Sequence, residues 1–195
     1  MKVNFFMFVV LGAALVFVAC GDRGPLSPGS DDIAQINQEP ALGKKTPIVT
    51  PWESIETGCE VLDPGKQWVS DDGVLHVHGE VTRDIVESAD PRIAGINTLT
   101  RYYTLNLATR NGTYKSKWRL EPLAVAGEWK GKLTGEFTGT ATGYIFTGRG
   151  TGHGSGELAS MEITVNIISL PEIQNPPCEN ALWQVAEHGE IIEKK

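Results

Sequence analysis

The chain has 195 residues, enough for one sizeable domain with additions at its ends. Its 24 acidic residues against 17 basic ones give a net charge of −7, and no run of lysines or arginines points to nucleic acid or anionic lipid as a partner. No stretch carries a specific catalytic signature, so the sequence speaks to compartment and fold before chemistry.

The N-terminus opens with a positive charge at Lys2, and Phe5 to Ala19 then runs apolar without a break. A bilayer span takes roughly 20 residues, so this run is short for one and fits the apolar region of a secretory signal. It ends in Phe17-Val18-Ala19-Cys20-Gly21. That ending resembles the lipobox of bacterial lipoproteins, where the chain is cut before the cysteine and the thiol carries a diacylglycerol; Phe17 stands where leucine is usual. The resemblance implies a signal peptide over residues 1–19, lipidation at Cys20 and palmitate among its acyl chains. It also implies a place in the bacterial cell envelope, facing the periplasm or the cell surface. Several acyl chains on one cysteine anchor durably, whereas one alone binds only marginally. A plain signal peptide with an incidental cysteine is the alternative.

From Gly21 to about Thr57 the composition shifts: Pro25, Pro28, Pro40, Pro47 and Pro51 lie among Gly, Ser, Asp and Gln with no apolar periodicity. Residues 20–57 therefore read as a lipidated flexible tether, with Trp52 and Ile55 as two apolar exceptions able to dock on the barrel. Residues 58–195 read as one domain. Cys59 and Cys178 lie near its two ends, and two leftover cysteines in a secreted chain usually pair. Such a bridge would tie the first strand to the last; two free thiols are the alternative.

Beyond Cys59 the pattern is of strands, with no convincing helix. Lys66 to Ser70 is a short one, turned by Asp71-Asp72-Gly73 into Val74 to Val86. There Leu75, Val77, Val81 and Ile85 share one face, while His76, His78, Glu80, Thr82 and Asp84 share the other, read as solvated. Thr98 to Thr109 and Thr113 to Glu121 flank Asn111-Gly112, the pair that suits a tight type I′ turn. Setting Arg110 opposite Thr113 puts Leu105 by Trp118 and Tyr103 by Leu120, and sorts both strands into apolar and polar faces.

Gly127 to Gly139 alternates glycine with Trp129, Leu133 and Phe137 on one face and charged or hydroxyl residues on the other. A strand from about Thr140 then leads into Gly148, Gly150, Gly152, Gly154 and Gly156, five glycines on alternate positions. Each costs roughly 0.5–1 kcal/mol relative to alanine, so something must lie on the bare face to offset them. Tyr114, Trp118, Trp129 and Phe137 are the candidate rings. Tyr144 and Phe146 share the parity of the glycines, which turns that face inward and leaves Arg149, Thr151, His153 and Ser155 outward; a bulge after Phe146 would reverse this. Leu158 to Ile168 is another strand, and Asn180 to Ile192 is a closing strand with a helical alternative.

About eight strands joined mostly by short turns predict an all-β domain: a small antiparallel barrel, with a β-sandwich as runner-up. Gly152 to Met161, reading Gly-His-Gly-Ser-Gly-Glu-Leu-Ala-Ser-Met, resembles the Gly-Ser/Thr-Gly-x-Leu/Phe segment of the allene-oxide-cyclase-like and dirigent-like barrels. Those families imply an eight-stranded barrel. None of the cyclases' catalytic residues can be placed here.

His76, His78 and Glu80, at i, i+2 and i+4 of one strand face, could ligate a metal such as Zn²⁺, with a solvated polar face as the alternative. The glycine row has neither the GxGxxG spacing nor the lysine of a phosphate cradle, and Ser155 lacks the hydrolase elbow. The sequence thus predicts a lipid-anchored envelope barrel, more a binding or interaction module than an enzyme, with no cofactor. A small apolar ligand would lie against Tyr114, Trp118, Trp129 and Phe137. The alternatives are a cyclase or isomerase acting on a hydrophobic substrate, and a metal protein through His76, His78 and Glu80.

Overall fold

The computed structural model describes residues 46–140 and 143–195. The expected signal peptide, Cys20 and the expected tether up to residue 45 lie outside them. Nine strands follow one another: β1 (Ile48–Asp63), β2 (Lys66–Val69), β3 (Val74–Glu87), β4 (Gly95–Asn106) and β5 (Gly112–Pro122). Then come β6 (Gly127–Gly139), β7 (Tyr144–Gly156), β8 (Met161–Ser169) and β9 (Trp183–Glu193). From β3 to β9 each strand pairs antiparallel with the next, and β1 then bonds to β9 on one flank and to β3 on the other. The result is a closed eight-stranded antiparallel barrel, which excludes the sandwich. β2 is the ninth strand. It takes up β3 where β1 leaves it, Asp63 facing Val81 and Lys66 facing His78, and so prolongs the β1 edge past Pro64-Gly65. The expected closing strand, Asn180 to Ile192, is found as β9 from Trp183 to Glu193, with no helix in it.

The barrel begins at Ile48, ten residues before the expected start, because the proline-rich look of residues 47–58 hides a strand. Residues 48–54 of β1 pair with β9 alone, and a strand bonded on one side tolerates Pro51. Trp52 is buried within it. Cys59 of β1 is bridged to Cys178, 119 residues on, with an S–S distance of 2.08 Å and Cα atoms 5.9 Å apart. Cys178 sits in the loop before β9 rather than on the last strand itself.

Two expectations of register fail for different reasons. In the β4–β5 hairpin Tyr103 faces Tyr114, Leu105 faces Gly112 and Leu99 faces Trp118, so each residue's partner lies six positions from the one that an Asn-Gly turn would set. The loop is Leu107–Asn111 instead. The Asn106 carboxamide oxygen accepts the amides of Ala108 and Thr109, the Arg110 amide donates to the Asn106 carbonyl, and Arg110 takes φ 59°. The displacement is even, so every side chain keeps its expected face. In β3 the face does change. A bulge lies between His78 and Glu80, with Gly79 at φ 78°, and the extra residue inverts the alternation. Val77 points inward before it; Glu80, Thr82, Asp84 and Val86 point inward after it, all buried.

The glycine row faces inward, and β6 and β7 pair without a shift from Gly127–Gly156 to Gly139–Tyr144. Arg149, Thr151 and His153 are exposed outside, and Ser155 is half-buried. The bare face is covered as the glycine cost requires. A β-carbon at Gly152 would stand 2.5 Å from the Trp118 ring, and one at its partner Gly131 would be closer still. Tyr114 lies in the same way on Gly135 and Gly148, and Trp183 on Gly58. Fully buried Trp129, Ile93 and Leu158 fill one end of the barrel, where the Trp129 indole donates to the Arg92 carbonyl at 2.8 Å. At the other end Phe137 meets Tyr103, Tyr114 and Phe146 with ring centroids 5.2–5.5 Å apart.

Candidate functional site: the barrel lumen

The four rings expected to line a ligand are placed as core. Tyr114 and Trp118 rest on glycine backbone, Trp129 has no exposed surface, and Phe137 belongs to the aromatic cluster at the mouth. Between them the lumen keeps two voids. One of about 30 Å³ lies among Trp52, Glu56, Asn97, Trp118 and Glu187; another of about 50 Å³ lies among Glu56, Arg101, Tyr114, Phe137 and Trp183. Small-molecule sites run to roughly 300–1,000 Å³, so these voids admit a few waters, and no ligand of drug size.

What the sequence reading missed is that the lumen is acidic. Glu56 of β1, Asp84 of β3 and Glu187 of β9 face one another inside the wall. The Asn97 carboxamide donates to Glu56 Oε1 at 2.6 Å, the Ser54 hydroxyl to Glu187 Oε2 at 2.7 Å, and the Thr82 hydroxyl to Asp84 Oδ2 at 3.2 Å. Glu80 pairs with Arg101 at 2.7 Å, and the Arg101 guanidinium lies 5.4 Å from the Trp183 ring centre. Each carboxyl arrives by a route invisible in alternation alone: Glu56 from the supposed tether, Asp84 through the Gly79 bulge, Glu187 from the closing strand.

Burial governs their ionisation. Glu56 is pushed up to about 8, by desolvation first and then by the charge of Asp84, while the Asn97 bond works the other way. Asp84 is pushed up to about 7 by desolvation, with the Arg101 charge opposing. Glu187 is held well above the ordinary range by desolvation and by Glu56. Desolvation also raises the Tyr114 phenol, which donates to the Thr147 carbonyl at 3.2 Å. A carboxyl kept protonated near neutrality can donate a hydrogen bond or a proton. Among the described residues, Trp52 Nε1, Trp118 Nε1, Asn97 Oδ1 and Asp84 Oδ1 are buried with no protein partner.

The bulge that turns Asp84 inward also splits the expected metal trio. Glu80 enters the lumen, whereas His76 and His78 stay on the outer wall, stacked or edged against Trp68 with ring centroids 4.9 Å apart. The three do not converge. No group of three metal-ligating side chains with the geometry to hold an ion occurs among the described residues. No known protein family, curated protein or solved structure was found to match the chain.

Proposed function

We propose that the chain is a lipid-anchored protein of the bacterial cell envelope whose barrel is a non-enzymatic interaction module that works through its outer wall. The observation that carries this reading is the filled lumen. The rings that would line an apolar ligand are committed to glycine backbone and to one another, and the remaining voids are water-sized. The Cys59–Cys178 bridge supports an oxidising compartment, as the signal and lipobox sequence at Cys20 imply. The closed eight-stranded wall is also the architecture that the allene-oxide-cyclase-like and dirigent-like resemblance would supply.

Mass spectrometry of the protein extracted from its own host's membranes tests the reading. The expected result is an acylated Cys20 peptide and no small molecule retained by the folded barrel. A stoichiometric lipid-like ligand would overturn the outer-wall reading, and an unmodified Cys20 on membrane-bound protein would overturn the anchor.

The acidic lumen favours a second reading: a cyclase or isomerase in which protonated Glu56 serves as the acid. It requires the Tyr103, Phe137 and Phe146 cluster to open. Phe137→Ala should then admit a hydrophobic fluorophore that wild type also binds slowly; exclusion by both proteins would end that reading.

A further inference from the structure

The basic residues that look scattered in the sequence are assembled by the barrel. Lys115, Lys117 and Arg119 of β5, Lys130 and Lys132 of β6 and Arg149 of β7 all point outward on three adjacent strands. Six of the chain's 17 lysines and arginines thus share one patch of wall in a protein of net charge −7. Pairing sets them in rows: Lys115–Thr134–Arg149, Lys117–Lys132–Thr151 and Arg119–Lys130–His153.

Only the last row is neutralised from within. Glu128 takes both Arg119 and Lys130, and Arg119 also meets Glu121 at 2.9 Å. Lys115, Lys117, Lys132 and Arg149 form no ion pair among the described residues, and Lys117 stands directly across from Lys132. Like charges in that position destabilise a sheet, so the arrangement calls for an anion from outside. The wall is concave here. One depression of about 870 Å³ and a second of about 420 Å³ share Lys132, Thr151 and Thr164, forming one trough across the rows. Five threonines, Thr98, Thr100, Thr134, Thr151 and Thr164, dominate its remaining polar lining, beside His153, Asn166 and a Glu162 carboxylate that Lys194 neutralises.

We propose that this trough binds an acidic polysaccharide, a polymer whose carboxylates meet Lys117, Lys132 and Arg149 and whose hydroxyls meet the threonines. The proposal rests on the outer-wall reading above and names the partner. The chemistry disfavours other polyanions. A bilayer presents a plane, which meets the rim of a trough and not its floor, and among the trough's outward side chains only Ile192 is apolar and able to insert. A single-stranded nucleic acid would need a row of bare aromatic faces. Trp118, the ring in the trough's lining, is turned onto Gly131 and Gly152, and Trp68 and Tyr102 pack against His76 and His78.

The test is calorimetric titration of the full chain in detergent with alginate, a polymer of carboxylated sugars, against neutral dextran. The expected result is alginate binding at low salt that weakens steeply as salt rises, and no dextran binding. The double variant Lys117→Gln, Lys132→Gln should lose at least tenfold in affinity while melting at the same or a higher temperature, since it removes a like-charge contact. Lys66→Gln, outside the trough, should bind as wild type does. Unchanged affinity in the double variant, equal binding of dextran, or no alginate binding at low salt would overturn the proposal. So would a preference of the Cys20→Ala chain for anionic vesicles or single-stranded DNA over alginate. If the anchor fails instead, Cys20→Ala leaves membrane association unchanged while alginate binding persists, so the two failures are separable.

Discussion

Replacing Glu56 with glutamine removes a proton-binding site from the lumen and leaves its shape nearly intact. The Asn97 carboxamide can still donate to the new amide oxygen, and the new amide nitrogen can donate toward Asp84 or Glu187. In the folded chain Glu56 is raised from 4.5 to about 8, so between those pH values the fold holds a proton that the unfolded chain has released. Stability contributed by that proton is complete below about pH 4.5 and is lost as pH rises toward 8. At pH 7 the gap from 4.5 corresponds to about 3 kcal/mol, an order-of-magnitude figure for a site shared with Asp84 and Glu187. With about 2–4 °C per kcal/mol for a domain of this size, the Glu56→Gln variant should melt roughly 10 °C above wild type at pH 7–8 and level with it near pH 4.5. Thermal melts followed by circular dichroism across pH 4.5–8, with the disulfide intact, check this. A wild-type barrel that grows more stable from pH 5 to 8, or a variant with the same pH slope as wild type, would refute a lumen acid held protonated by burial.

Other outcomes follow from the same geometry. Gly152→Ala should cost about 1–3 kcal/mol by overpacking against Trp118, and Trp118→Leu in the same chain should recover part of it, as a double-mutant cycle in urea would show. Gly143→Ala, with open space around it, is the neutral control. Gly79→Ala at φ 78° should cost about 1–2 kcal/mol and speed amide exchange around Glu80 and Arg101; native exchange rates would argue against the bulge. Replacing both Cys59 and Cys178 with serine opens a loop spanning 119 residues, for which the chain-entropy treatment gives about 4–5 kcal/mol, read from the urea midpoint.

Parity was more legible than register, and register more than burial of charge. Alternation of Trp129, Leu133 and Phe137 with glycine named the inner face of β6, and the shared parity of Tyr144 and Phe146 named that of β7. The β4–β5 faces were right although the pairing was displaced, because face sorting fixes a pairing only up to an even displacement. Gly79 was the place where alternation broke, and one glycine at positive φ is a faint mark in a strand that already reads as regular. The acidic lumen follows from that break and from β1, whose prolines resemble a linker. Scattered lysines give no sequence signal either. Their adjacency exists only once three strands are paired.

β1 is bonded on both flanks, to β3 nearby and to β9 at the far end of the chain. This imposes an order in time. The strands from β3 to β9 can zip by local hairpins as they emerge, but the first strand has its full set of partners only when the last is present. Closure is therefore a late event with a long loop to overcome, the kind of topology that folds slowly. Until then two hydrogen-bonding edges stand open, and the cysteine on β1 can find its partner only as the seam shuts. Pulse-labelled hydrogen exchange should register this as protection of β4–β6 amides ahead of those in β1. For a chain exported from its N-terminus, the strand that arrives first would be the one kept waiting longest.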